Sequence, residues 1–135
     1  MDFSSLVLME KDKNTGFISK ELGSFSVDEG ALFVKKFYVE DGVVNVYFDT
    51  NKDVLEWEYS AIYDLFNEDI FREKGYILEE DLEEYNPTFI LKFDYLNDHN
   101  LMQEKVNEII SLIKLEMENV FKNIDGKEEE YKEEI

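Results

Sequence analysis

Cysteine is absent from the 135-residue chain. Its absence excludes disulfide cross-links, thiolate metal or iron–sulfur sites and thiol catalysis. Proline occurs once, at Pro87, so no proline-rich linker divides the chain. The six glycines are scattered, and neither G-x-G-x-x-G nor G-x-x-x-x-G-K-[ST] occurs, which leaves nucleotide binding without a motif. The one histidine, His99, sits between Asp98 and Asn100 at an expected helix start, where the helix dipole disfavours an imidazolium. No glycine-rich serine elbow accompanies it, so it reads as an exposed neighbour of a cap rather than a catalytic base. No apolar run approaches the roughly 20 residues that span a bilayer. Met1 to Ser5 lacks the basic start of a signal peptide, and a cytoplasmic location is expected.

What the chain has in excess is acid: 33 acidic residues against 14 basic ones, a net charge of −19. The excess is uneven, since Phe37 to Leu91 holds fifteen acids and only Lys52, Arg72 and Lys74 as bases. AT-rich coding would raise lysine as much as glutamate, and so does not explain it. Salt adaptation fits poorly with a single arginine and eleven phenylalanines. Two readings remain: simple solubility, or attraction of a basic partner. Direct nucleic-acid binding is opposed, because no basic patch is present to release counterions from phosphate.

With 44% apolar residues, the length and composition indicate one α+β domain over residues 1–126. Residues 127–135 follow Gly126, are mostly acidic and show no apolar face, so a disordered tail is expected. The clearest element is a C-terminal helix. Met102, Val106, Ile109, Ile110, Ile113, Met117, Val120, Phe121 and Ile124 form one apolar stripe of period 3.6, with Gly126 as its stop. Asn97, Asp98 and Asn100 all offer cap oxygens, and Asn100 with Gln103 matches a capping box. The width of the stripe suits packing on a sheet, and any spare width would favour a homodimer.

Strands are expected over Thr88 to Tyr95 and Val43 to Asp49, and a hairpin joins Phe3–Glu10 to Phe17–Leu22 around Lys13–Gly16. Residues 27–39 carry two competing signals. Asp41-Gly42 marks a hairpin whose first strand would cover Phe33 to Val39. Ser26-Val27-Asp28-Glu29 instead reads as a capping box, favouring a short helix from Val27 with strand character regained near Phe37. Val54 to Tyr59 reads as a strand pairing with Val43–Asp49. Ser60 then caps a helix near 60–74 that ends by Gly75, and Glu79 to Glu84 reads as an acidic loop. The sum is a mostly antiparallel sheet, one face covered by the long C-terminal helix and a second helix.

Two stretches imitate calcium loops. Asp12–Ser19 lacks the terminal bidentate acid, and Asp49, Asn51 and Asp53 are followed by Val54 where glycine belongs. Asx-rich turns explain both. No catalytic residue, metal ligand or cofactor is assigned, and the chain is read as a non-enzyme. The candidate partner-binding residues are Glu56, Trp57, Glu58, Tyr59, Tyr63 and Asp64, where aromatic side chains alternate with acids. Their competing role is core and core boundary.

The run Val46 to Phe66, VYFDTNKDVLEWEYSAIYDLF, resembles small acidic proteins of clostridial bacteria that form a family of unknown function. The resemblance implies a bacterial cytoplasmic origin and no activity. The expected role is therefore an acidic protein-interaction domain with a basic protein as partner. The runner-up is a nucleic-acid mimic that inhibits a DNA- or RNA-binding protein, which needs carboxylates spaced like phosphates.

Overall fold

The computed structural model describes residues 5–132. Its frame is a six-stranded sheet of order β2-β1-β3-β4-β6-β5. The strands are β1 (Ser5–Lys11), β2 (Ile18–Ser26), β3 (Val34–Glu40), β4 (Val43–Asp49), β5 (Ile77–Asp81) and β6 (Thr88–Asp94). Every pairing is antiparallel except that of β1 with β3. The first hairpin forms as expected, with β2 running on to Ser26; Phe3 lies outside the described residues. Helices are α1 (Glu56–Leu65), α2 (Asp69–Arg72), α3 (His99–Ile124) and α4 (Glu128–Lys132).

Alternation decides which face of the sheet is covered. Val44, Val46 and Phe48 of β4 and Phe89, Leu91 and Phe93 of β6 point one way and are buried beneath the helices. The apolar stripe of α3 lies on this face, and its members from Met102 to Ile124 are buried or half-buried within the one chain. Asp98 supplies its cap, accepting from the Leu101 amide at 3.0 Å. Gln103, expected in a capping box with Asn100, instead holds edge strand β2. It accepts from the Ser26 amide and donates to the Ser26 carbonyl, both at 2.9 Å, as a neighbouring strand would.

Both signals over residues 27–39 are realised in turn. A 3-10 turn, Glu29–Phe33, is capped by Asp28 rather than Ser26, and β3 begins at once at Val34. Gly30 in that turn is required by contact, since a Cβ there would meet Ile110 Cγ2 at 2.8 Å. The β3–β4 hairpin turns through Asp41 and Gly42 with φ of 53° and 77°, the left-handed pair that a two-residue hairpin needs.

Five further expectations are corrected. Val54–Tyr59 is no strand: α1 starts at Glu56, and the second neighbour of β4 is β6. Trp57, Ala61, Ile62 and Phe66 form a helical stripe that outweighs a short alternation. Ser60 lies inside α1, which opens instead with the Glu58 carboxylate accepting from the Leu55 amide at 2.8 Å. The helix expected near 60–74 is two helices, α1 and α2, broken at Asn67. Much of the expected acidic loop is strand: Glu79, Glu80 and Asp81 belong to β5, held in register by Leu78 opposite Leu91. At the C-terminal end, residues 128–132 form α4 with Tyr131 buried, where no packed face was expected; residues 133–135 lie outside the described part.

The break between α1 and α2 exposes backbone donors within the fold, and Glu116 of α3 meets one of them. Its side chain is only 3% exposed and accepts from the Asn67 amide at 2.9 Å. Glu116→Ala leaves that amide unpaired and is expected to cost roughly 1–3 kcal/mol in urea unfolding. Glu116→Gln keeps an acceptor and is expected to cost less; equal losses for the two would remove the hydrogen bond as the cause.

Candidate functional site

On helix α1 the six residues singled out above diverge. Glu56 and Glu58, two apart, do not share a face as they would on a strand; Glu56, Ser60 and Asp64 line the exposed side. Trp57 is 9% exposed and faces the core, so it is not a free surface anchor. Its indole N–H is buried without a hydrogen-bond partner.

Tyr59 and Tyr63 project toward the β5–β6 hairpin. The Tyr63 hydroxyl accepts from the Thr88 amide at 2.8 Å and lies 3.0 Å from the Asp81 carbonyl, closing the last rung of the ladder. The Tyr59 hydroxyl reaches the carbonyls of Leu82 and Glu84 at 3.4 and 3.3 Å. Asn86 donates to Asp53 at 3.2 Å, tying the far side of the same loop to the approach to α1. The two tyrosines thus position loop 82–87 rather than offer themselves to a partner.

What that loop presents is a set of residues the sequence reading missed. Leu55, Leu82 and Tyr85 are 62%, 65% and 77% exposed. Leu55 and Tyr85 border an open cleft of about 380 Å³ with Val54, Glu56, Tyr59 and Ser60. Leu55 and Glu56 also border a second cleft with Trp57 and Lys132, and Trp57 borders a third of about 600 Å³ with Glu58, Phe121, Asp125 and α4. The three clefts run together along the first turns of α1. The charged side chains lining them are Glu56, Glu58, Asp125, Glu128 and Glu129 against Lys52, Lys122 and Lys132. The missed signal was an apolar residue belonging to no stripe, Leu82 amid acids and Tyr85 beside Asn86-Pro87.

The two calcium-like stretches are turns. Asp12 accepts from the amides of Asn14 and Thr15, and Asp49 from that of Asn51, leaving their carboxylates committed to backbone. His99 stacks on Phe25 at 4.9 Å with a ring nitrogen 3.0 Å from the Ser24 carbonyl, serving the β2 edge. Among the described residues no group of three His, Asp or Glu side chains converges on a metal-sized site. No helix among them is long and apolar enough to cross a membrane.

A family model matches residues 1–132. The chain belongs to DUF6762, a family of unknown function. No curated protein and no solved structure matches it.

Two titrations shape that side of the molecule. Partial burial and a hydrogen bond with the Glu68 carboxyl push Glu80 up to about 7, against the opposing pull of Arg72. Burial also raises Glu116, against the lowering effect of the Asn67 amide. A raised carboxyl stabilises the fold fully below its unfolded pKa, and that contribution is lost as pH rises through the folded value. Thermal unfolding is thus expected to fall by a few degrees between pH 5.5 and 8. Glu80→Gln removes the titrating proton and should flatten this fall; an unchanged slope would assign it to overall charge repulsion.

Proposed function

We propose that this protein is a non-catalytic interaction domain that binds a basic protein through the start of α1 and loop 82–87. The observation that carries this reading is the exposure of Leu55 and Tyr85, each more than half exposed, at a cleft with Glu56, with the exposed Leu82 held close by through the Tyr59 hydroxyl. Large apolar side chains inside an acidic rim are the arrangement in which burial supplies affinity and charge supplies steering and partner choice. Of the residues first singled out, Glu56 and Glu58 contribute to the rim. Tyr59 and Tyr63 hold the loop, while Trp57 and Asp64 lie under and beside α4.

The nucleic-acid mimic remains the second reading, and it makes a different demand. A mimic's target also binds DNA or RNA, so nucleic acid must compete for it. A basic partner that recognises Leu55, Leu82 and Tyr85 is indifferent to nucleic acid but sensitive to their loss.

The immobilised chain, exposed to bacterial lysate and eluted with rising salt, is expected to release a basic protein at moderate salt. A Leu55→Ser, Leu82→Ser, Tyr85→Ser triple variant should lose that protein while unfolding at nearly the same temperature, because all three side chains are exposed. Retention by the variant would sink the proposed surface, and elution by added DNA would favour mimicry.

A further inference from the structure

The third cleft is roofed by the chain itself. Helix α3 ends at Ile124, the backbone turns through Gly126 at φ 82°, and α4 folds back onto α1. Tyr131 is the buried residue of α4, and its hydroxyl donates to Asp64 at 2.6 Å. Glu128 and Glu129 line the cleft beside Trp57 on one side, and Lys132 lines the neighbouring cleft on the other.

This roof is built to be weak. The five described residues of α4 are far fewer than the ~12–15 that an isolated helix needs for even marginal stability, so α4 depends on its docking. Its charge works against that docking, since the cleft holds Glu58, Asp125, Glu128 and Glu129 with only Lys52 and Lys122 to offset them. The ion pairs here do not cross to α1: Lys132 of α4 pairs with Glu128 at 2.6 Å, and Lys127 just before the helix pairs with Glu130 at 3.8 Å. Beneath it the Trp57 indole N–H has no partner in the closed arrangement.

We propose that α4 is a displaceable strap that occupies, in the free protein, part of the groove a basic amphipathic helix takes. The inference rests on the interaction function proposed above and extends it. Lifting α4 about Gly126 uncovers Trp57 beside Leu55, frees Asp64 from Tyr131 and removes Glu128 and Glu129 from beside Glu58. The opened groove is acidic and apolar, complementary to a helix with leucines on one face and lysines on the other. A partner of that chemistry both fills the groove and exchanges like-charge contacts for opposite-charge ones.

Trp57 is the only tryptophan, so its fluorescence reports the strap directly. In the full-length chain, Tyr131→Ala is expected to raise acrylamide quenching of Trp57 about threefold, with far-UV circular dichroism and unfolding temperature nearly unchanged. Asp64→Asn, which keeps the shape of the contact, should give a smaller rise in the same direction. In the unaltered chain added salt should reduce quenching, because it screens the repulsion that lifts the strap. A synthetic leucine–lysine amphipathic peptide should bind Tyr131→Ala roughly fivefold more tightly, since the closed strap lowers the competent fraction. Equal shielding of Trp57 in the unaltered chain and both variants overturns the strap. Exposure of Trp57 without tighter peptide binding overturns its role in blocking the groove. A peptide that binds neither chain, while the triple variant of the previous section still loses its lysate partner, refutes the amphipathic helix as occupant and leaves the interaction surface standing.

Discussion

Phe48 and Phe89 together join the sheet to α1 and α2, and the rest of the architecture is arranged around that contact. The Phe89 ring stacks on Phe66 at 4.1 Å and on Phe48 at 5.5 Å, while Phe71 lies 5.8 Å from Phe66 and 5.9 Å from Phe48. Strands β4 and β6, the end of α1 and α2 therefore meet in one aromatic cluster. Burying a phenylalanine of this kind contributes roughly 1.5–3 kcal/mol, and stacked or offset rings add to it. Tyr63 touches the same cluster, 5.3 Å from Phe89, and carries its hydroxyl outward to the β5–β6 ladder. The position of the exposed loop is thus a consequence of core packing: the cluster sets α1, α1 sets Tyr59 and Tyr63, and they set residues 82–87.

The net charge of −19 is sorted by the same framework. On the face of the sheet away from the helices, Lys11 and Lys36 lie over the rings of Tyr38 and Tyr47 at 4.9 and 4.8 Å. Lys92 there pairs with Glu79 at 3.3 Å. These lysines spend their charge on aromatic faces and a carboxylate, and their stems cover apolar surface that would otherwise face water. The acids about α1 and the hairpin have fewer cations to meet. At Glu80 partial burial, helped by a hydrogen bond with Glu68, holds the proton to about 7 against the pull of Arg72.

Elements with a long, strict period were legible in the sequence, and those decided by a few residues were not. The stripe from Met102 to Ile124 allows only a helix, and the alternation of Phe89, Leu91 and Phe93 only a strand. Asp41-Gly42 identified its hairpin because its left-handed backbone is chemically specific. Val54 to Tyr59 was misread because, over six residues, periods of 2 and 3.6 fit equally well, and burial of Trp57 against Ala61 and Ile62 decides the matter. Glu79–Asp81 was misread because an edge strand tolerates acids that a loop also carries. Helix α4 was illegible for a different reason: its single buried residue, Tyr131, makes no stripe. Of the candidate residues, those of the acidic aromatic segment fall on different sides of α1: Trp57 is buried, while Tyr59 and Tyr63 bond to the backbone of the β5–β6 hairpin. Tyrosine and tryptophan serve cores and interfaces alike, and only the fold separates those uses.

The two edges of the sheet explain why a partner is sought at the helix end. Extended peptides bind by adding a strand, which needs free backbone donors and acceptors along an edge. At β2 the Ser26 amide and carbonyl are taken by Gln103, and the Ser24 carbonyl by His99. At the opposite edge β5 is five residues long and ends in Glu79, Glu80 and Asp81, a short strand blunted by consecutive charge. The open sheet face is shielded by its own lysines. Leu55, Leu82 and Tyr85 stand exposed at the junction of α1 with loop 82–87, and the interaction proposed there would proceed through side chains rather than through the backbone ladder.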